Sequence, residues 1–79
     1  MKEQILGILS ELRPEFDFTQ GMNFICEGML DSFDVITLVT TLDEKFGISI
    51  SGTDILPENF ESVERIEALL RKNGVNPNK

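Results

Sequence analysis

The sequence predicts an all-α fold, a four-helix bundle with a long loop between its first two helices and a short third helix. Three segments place apolar residues three and four positions apart, which is the spacing of one helical face. Residues that favour helix ends flank these segments. One short run, Ile48-Ser49-Ile50-Ser51, alternates as a strand does, but the chain offers it no obvious pairing partner. We therefore expect this run to be an extended loop.

The first predicted helix ends near Arg13, because Pro14 cannot continue it. Its apolar face consists of Ile5, Ile8, Leu9 and Leu12. Residues 14–30 show no sustained period and contain Gly21 and Gly28, so we expect a long loop there. A loop of this length is uncommon in a compact domain unless side chains hold it against the core. The side chains expected to do so are Phe16, Phe18, Phe24 and Ile25.

The second predicted helix begins at Ser32, because Asp31 is suited to accept hydrogen bonds from the first free backbone N–H groups as the N-cap. Asp34 lies three residues further on and completes a pattern that resembles a capping box. Gly47 is placed to end this helix in a left-handed conformation. The face expected to point inward consists of Val35, Leu38, Val39, Leu42 and Phe46.

The third predicted helix is short. Thr53 or Asp54 can cap a turn that continues through Ile55 and Leu56. Pro57 either limits the length of this turn or begins another one.

The last predicted helix has Ser62 as its N-cap and ends at Gly74. Its inward face consists of Val63, Ile66, Leu69 and Leu70. Arg71 and Lys72 suit the negative end of the helix dipole. We divide the chain into one domain, residues 1–73, and a flexible tail, residues 74–79.

Composition excludes several classes of function. The 79 residues allow one modest core and no second domain. The chain has no His, no Tyr and a single Cys, so it lacks the commonest general base and the usual nucleophile pairs, and we expect no enzymatic activity. We also expect no metal site, because no EF-hand pattern or cluster of four oxygen ligands is present. Cys26 excludes an internal disulfide and is expected to be a loop or core residue.

Acidic charge is concentrated in the middle of the chain, where residues 27–64 contain nine acidic residues and one basic residue. Such a surface repels nucleic acid and anionic lipid, but it can steer basic patches of partner proteins. Alternatively, the excess acid only keeps a small protein soluble. No apolar run approaches membrane-spanning length, and the N-terminus leads into an amphipathic helix instead of a signal peptide. We expect a cytoplasmic monomer without membrane insertion.

The segment G-M-L-D-S-F-D-V-I-T-L-V-T-T-L, residues 28–42, resembles the attachment motif of acyl and peptidyl carrier proteins. The E-K-F-G-I end of the second helix and the N-F-x-S-V-x-x-I segment, residues 59–66, extend the resemblance over most of the chain. In that family the serine carries 4′-phosphopantetheine, which is transferred from coenzyme A. The thiol at the end of this phosphopantetheine arm holds an acyl or aminoacyl group as a thioester. The resemblance thus implies a carrier-type bundle, with Ser32 as the attachment site and Asp31 as a residue that a phosphopantetheinyl transferase recognises.

The resemblance also implies that residues around the second and third helices line a cleft that can shelter an acyl chain, and that partner enzymes touch these residues. The candidate docking residues are Phe33, Asp34, Ile36, Thr40, Asp43, Glu44 and Ile55. From the residues alone, Asp31 and Asp34 can equally be capping residues only. Phe33, Ile36 and Thr40 lie on one stripe of the second helix and can equally be ordinary packing positions.

Phe33 follows the serine where leucine or methionine is common, and Thr37 stands where fatty-acid carriers often have glutamate. The chain more closely resembles discrete carriers of specialised pathways. We predict an acyl carrier that delivers thioester intermediates to synthase enzymes of fatty-acid, polyketide or related biosynthesis. One alternative is an aminoacyl carrier, of D-alanyl or peptidyl type, that an adenylating ligase loads. Another is an acidic helical adaptor without a prosthetic group, in which Ser32 is structural or phosphorylated.

Overall fold

The computed structural model describes residues 2–19, 21 and 23–75. Within this part of the chain, three α-helices and two short 3₁₀ helices form, and no β-strand is present. The α-helices are α1 (Lys2–Leu12), α2 (Ser32–Phe46) and α3 (Val63–Lys72). The first 3₁₀ turn is Gly52–Asp54 and the second is Pro57–Phe60. The predicted all-α fold is confirmed, but the predicted four-helix bundle is not, because two 3₁₀ turns lie where the short third helix was expected.

Pro57 explains why the third helix is divided. Leu56, which precedes it, is extended, with φ of −118° and ψ of 142°, because a following proline disfavours the helical conformation. Pro57 then begins the second 3₁₀ turn. Of the two predicted possibilities, a shortened turn or the start of another one, the structure shows the second. The cap of the first turn differs from the prediction: Ser51, not Thr53 or Asp54, accepts a hydrogen bond from the Thr53 N–H with its hydroxyl, at 3.4 Å.

The core lies between the three helices. Helix α1 packs against α2 and α3, and the second 3₁₀ turn packs against α2 and α3. The predicted inward faces are buried, except that Leu12 and Phe46 are only partly so. The buried core consists of Ile5, Ile8, Leu9, Phe18, Phe24, Met29, Leu30, Val35, Leu38, Val39, Leu42, Ile50, Phe60, Val63, Ile66, Leu69 and Leu70.

Aromatic packing and hydrogen bonds hold the long loop before α2 against this core. The rings of Phe18 and Phe24 meet edge to face with their centroids 4.9 Å apart. The Phe24 N–H donates to the Glu61 carbonyl at 2.8 Å, and the Phe24 carbonyl accepts from the N–H groups of Met29 and Leu30. The predicted loop anchors are all buried or partly buried: Phe16, Phe18, Phe24 and Ile25. These contacts fix the position of the loop, and with it the position of the start of α2.

The C-terminal end of α3 continues further into ordered structure than predicted. Gly74 has a φ of 90°, its N–H donates to the Arg71 carbonyl, and the Val75 N–H donates to the Leu70 carbonyl, each at 3.0 Å. This is the bond pattern of a Schellman motif, and it places Val75 against the core. Gly74 and Val75 are thus tied to α3, although they fall in the predicted tail. The rest of that tail, residues 76–79, lies outside the described residues.

Candidate functional site

Two aspartates close the N-terminal end of α2. The Asp34 N–H donates to Asp31 Oδ1 at 2.9 Å, and the Asp31 N–H donates to Asp34 Oδ2 at 3.1 Å. Asp31 itself is extended, with φ of −106° and ψ of −174°. The predicted capping box is therefore present, and it satisfies two backbone donors reciprocally. Ser32 follows as the first helical residue, and it is exposed.

Arg13 covers the carboxylates of this cap. Its Nε and Nη2 atoms lie 2.9 Å and 2.8 Å from Asp34 Oδ2, and Nη2 lies 3.5 Å from Asp31 Oδ2. Its Nη1 atom binds Glu15 Oε2 at 3.1 Å. Sequence reasoning missed this contact, because Arg13 and Asp34 are 21 positions apart. The available signal was that Arg13 is the one basic residue between residues 3 and 44, a segment rich in acids.

The Asp34 carboxylate is largely buried, with 12% of its side chain exposed. Burial by itself would raise its pKa, but the hydrogen bonds from Arg13 and the Asp31 N–H hold the pKa of Asp34 below its usual value. The same contact, chiefly with Asp34, raises the pKa of Arg13. A carboxylate that is buried and paired in this way presents little of its charge at the surface. Asp34 is therefore a capping residue, and its predicted docking role stays a prediction.

One stripe of α2 next to Ser32 faces solvent. Phe33 is 79% exposed and Ile36 is 59% exposed, so neither side chain is a packing position. Thr40 and Glu44 continue the stripe and are also exposed. The Thr40 hydroxyl donates to the Ile36 carbonyl at 3.1 Å, within the helix. The stripe thus presents two large apolar side chains near the serine and a carboxylate further along.

Asp43 and Ile55, the remaining candidates, are partly buried. Asp43 Oδ1 accepts from the Ile50 N–H at 3.1 Å, and its carbonyl accepts from the Ile48 N–H at 3.1 Å. Gly47, which lies between Asp43 and Ile48 in the chain, has a φ of 63° and ends α2 in the left-handed conformation that the sequence predicted. Asp43 therefore stabilises the turn that follows α2, and its hydrogen bond to this turn occupies one of its carboxylate oxygens.

An apolar groove of about 310 Å³ opens beside Ser32. Its lining residues are Ile25, Leu30, Asp31, Ser32, Val35, Ile36, Ile55 and Pro57. The groove brings together four predicted site residues: Asp31, Ser32, Ile36 and Ile55. The resemblance implied a cleft around the second and third helices but not its full lining, because its walls come from the long loop, from α2, and from Ile55 and Pro57 at the start of the second 3₁₀ turn.

Other features of the described residues add little to this site. None of their helices is long and apolar enough to cross a membrane. In the same part of the chain, no three His, Cys, Asp or Glu side chains are grouped as metal ligands. Cys26 is a free thiol, exposed on the loop and not in the core.

A small helical bundle with an apolar groove at the start of its second helix is the architecture of a carrier domain, a class of protein that presents a bound group to other proteins. The chain matches the family described as "Phosphopantetheine attachment site" over residues 3–70. It therefore belongs to the phosphopantetheine-binding carrier family, whose domain binds 4′-phosphopantetheine covalently.

Curated relatives are carrier proteins as well. The chain is 32% identical over 66 residues to aminoacyl carrier protein 1 of Bradyrhizobium diazoefficiens, a match that covers 84% of this chain and 72% of the relative. It is 30% identical over 74 residues to the D-alanyl carrier protein of Lactococcus lactis subsp. cremoris, covering 91% of this chain and 94% of the relative. No solved structure shows a significant match.

Proposed function

We propose that Ser32 anchors 4′-phosphopantetheine and that the chain carries an acyl group on this arm to enzymes of fatty-acid, polyketide or related biosynthesis. The position of Ser32 is the main support: it is exposed, it is the first residue of α2 and it lies on the edge of the apolar groove. A transferase can reach a hydroxyl there. A phosphodiester on it would lie beside the positive end of the helix dipole. The residues present therefore fit the group.

Ser32 acts as the acceptor in the attachment step. Its Oγ forms a bond to the phosphorus atom nearest the pantetheine of coenzyme A, the pyrophosphate bond breaks, and 3′,5′-adenosine bisphosphate leaves. The hydroxyl proton passes to a base of the transferase, because this chain has no His, the commonest general base. When bound, the arm supplies a terminal thiol that holds the acyl group as a thioester.

The same proposal assigns partner docking to the exposed stripe of α2, which consists of Phe33, Ile36, Thr40 and Glu44. Large exposed apolar side chains mark interaction surfaces, and a nearby acid can steer a basic partner. The partners are a phosphopantetheinyl transferase, a loading ligase and downstream synthase enzymes. Asp43 and Ile55, which are partly buried, contribute at the edges. The carrier works as a cytoplasmic monomer, and its single cysteine, which can form no internal disulfide, suits a reducing compartment.

Aminoacyl carriage is the second candidate function, and the names of the relatives favour it. Both relatives are carriers of aminoacyl or D-alanyl groups by name. An adenylating ligase would load such a group on the same arm at the same serine. The apolar lining of the groove supports an acyl cargo instead. The mass of the adduct on protein purified from its native host distinguishes an acyl from an aminoacyl group.

Intact mass spectrometry tests the attachment site. We expect the protein to gain one phosphopantetheine after incubation with coenzyme A, Mg²⁺ and a broad-specificity phosphopantetheinyl transferase. Ser32→Ala should gain nothing and keep the helical circular dichroism of the parent. Ser10→Ala, which removes an exposed hydroxyl from α1, is the matched control and should be modified fully. A folded parent protein that gains nothing, and carries no arm beforehand, would favour the adaptor without a prosthetic group.

A further inference from the structure

The Arg13 guanidinium contacts both carboxylates of the α2 cap, but unequally. Two of its nitrogens lie 2.8 Å and 2.9 Å from Asp34 Oδ2, whereas Asp31 Oδ2 is 3.5 Å away. The side chain of Asp34 is 12% exposed and that of Asp31 is 58% exposed. Within the cap, Arg13 therefore pairs more closely with the buried carboxylate of Asp34 than with that of Asp31. Asp31, the more exposed of the two aspartates, makes the longer contact with Arg13.

A chain of short contacts leads from Arg13 to Ser32. Arg13 binds the Asp34 carboxylate. Asp34 in turn makes two hydrogen bonds with Asp31: Asp34 Oδ2 accepts from the Asp31 N–H, and the Asp34 backbone N–H donates to Asp31 Oδ1. Asp31 is bonded covalently to Ser32. The orientation of the Asp31-Ser32 junction thus depends on an arginine at the end of α1, on the other side of the long loop.

Arginine suits this position for a geometric reason. The guanidinium reaches Asp34 with Nε and Nη2 while Nη1 binds Glu15. A lysine has one nitrogen and cannot reproduce the fork. Without the guanidinium, the buried Asp34 carboxylate would have no ionic partner, so it would take up a proton or turn toward solvent. Turning toward solvent would release the Asp31 N–H and free the junction.

We infer that Arg13 is a positioning residue for the modification of Ser32, acting through Asp34 to orient Asp31 and the serine hydroxyl for the transferase. This inference rests on the proposed function, because it takes Ser32 as the attachment site. Arg13 lies outside the exposed stripe of α2, so its loss should leave docking unchanged. A displaced acceptor hydroxyl reacts more slowly, and a misplacement of 1 Å can cost roughly 100-fold in rate.

Steady-state kinetics of a phosphopantetheinyl transferase acting on the unmodified protein provides the test. At a temperature where all variants are folded by circular dichroism, we expect Arg13→Met to lower kcat by about 10-fold to 100-fold with little change in KM. Arg71→Met is the matched control. It removes an arginine of α3 that pairs with Glu67 at 3.1 Å, and it should leave both constants unchanged.

The double variant Arg13→Met/Asp34→Asn separates positioning from direct contact. An asparagine at 34 can still accept from the Asp31 N–H but needs no ionic partner. We expect the double variant to recover most of the lost kcat. A double variant as slow as Arg13→Met would mean that Arg13 contacts the transferase or coenzyme A itself, and would overturn the inference.

Amide hydrogen exchange gives a readout independent of the transferase. The Asp31 N–H, held by Asp34 Oδ2, should exchange faster in Arg13→Met and at the parent rate in Arg71→Met. If Arg13→Met does not fold, Arg13→Lys takes its place, with smaller expected changes. Unchanged kcat and unchanged exchange, with the parent protein modified on Ser32, would overturn this inference and leave the proposed function intact. A parent protein that is not modified at all would overturn both.

Discussion

A single carboxylate, that of Asp34, joins the end of α1 to the start of α2. It accepts hydrogen bonds from two nitrogens of Arg13 and from the Asp31 N–H. These bonds outweigh the effect of burial and lower the pKa of Asp34. Since the folded state favours the ionised form, part of the folding free energy depends on pH.

The sign of this dependence follows from the lowered pKa. The contribution of Asp34 is complete above the pKa of an unfolded aspartate, about 3.9, and is lost as the pH falls through the lower pKa of the folded state. We expect urea unfolding to show a loss of stability below about pH 4 that is smaller in Asp34→Asn. Glu44→Gln, which removes an exposed carboxylate of the same helix, is the control. An equal change in both variants would contradict the assignment to Asp34.

Helix α2 is the element that presents the site, and both of its ends are closed. The capping box fixes its start, and the left-handed Gly47 fixes its end. An added Cβ at Gly47 would meet no atom within 4 Å, so a substitution there costs backbone strain and not a clash. Gly7 lies in the middle of α1, also with open space around it, but without a positive φ.

Alanine substitutions at these two glycines should therefore have opposite effects on stability. We expect Gly47→Ala to lower the free energy of unfolding by about 1 kcal/mol, because its φ of 63° disfavours an L side chain. Gly7→Ala should raise it by roughly 0.5–1 kcal/mol, because alanine favours a helix interior. Chemical denaturation measures both. Effects of the same sign would show that the backbone argument is wrong for one of the two positions.

At the scale of the whole molecule, the groove and the exposed stripe of α2 form one working surface. Ile36 belongs to both, and Ser32 lies on the edge of the groove. The protein also has a formal net charge of −7. A group attached at Ser32 would thus have an apolar groove beside it, while the exposed face of the same helix remains open to a partner.

Charge reversal on the stripe tests electrostatic docking. We expect Glu44→Lys to slow modification or loading several-fold at low salt and much less at high salt, because ions screen the attraction between exposed charges. Glu3→Lys makes the same charge change in the first turn of α1 and should have little effect. Equal slowing by both variants would indicate that only net charge matters. Salt-independent slowing would indicate apolar docking through Phe33 and Ile36.

The parts of this fold that could be predicted depend on neighbours in the chain. The inward faces follow from residues three and four apart, and the Asp31 and Ser62 caps act on N–H groups within three residues. The loop anchors could be predicted because a long apolar loop must bury its aromatic side chains. The division of the third helix was harder, because Pro57 allowed either a shorter helix or a second turn.

The sequence by itself determined the three α-helices, their caps and the exposed serine at the start of α2, because all of these rest on hydrogen bonds and spacings within a few residues. Only the tertiary structure decided the pairing of Arg13 with Asp34, the burial of that carboxylate and the groove beside Ser32. Each of these joins segments distant in the chain. Whether such segments meet depends on how the whole core packs, which no local pattern specifies.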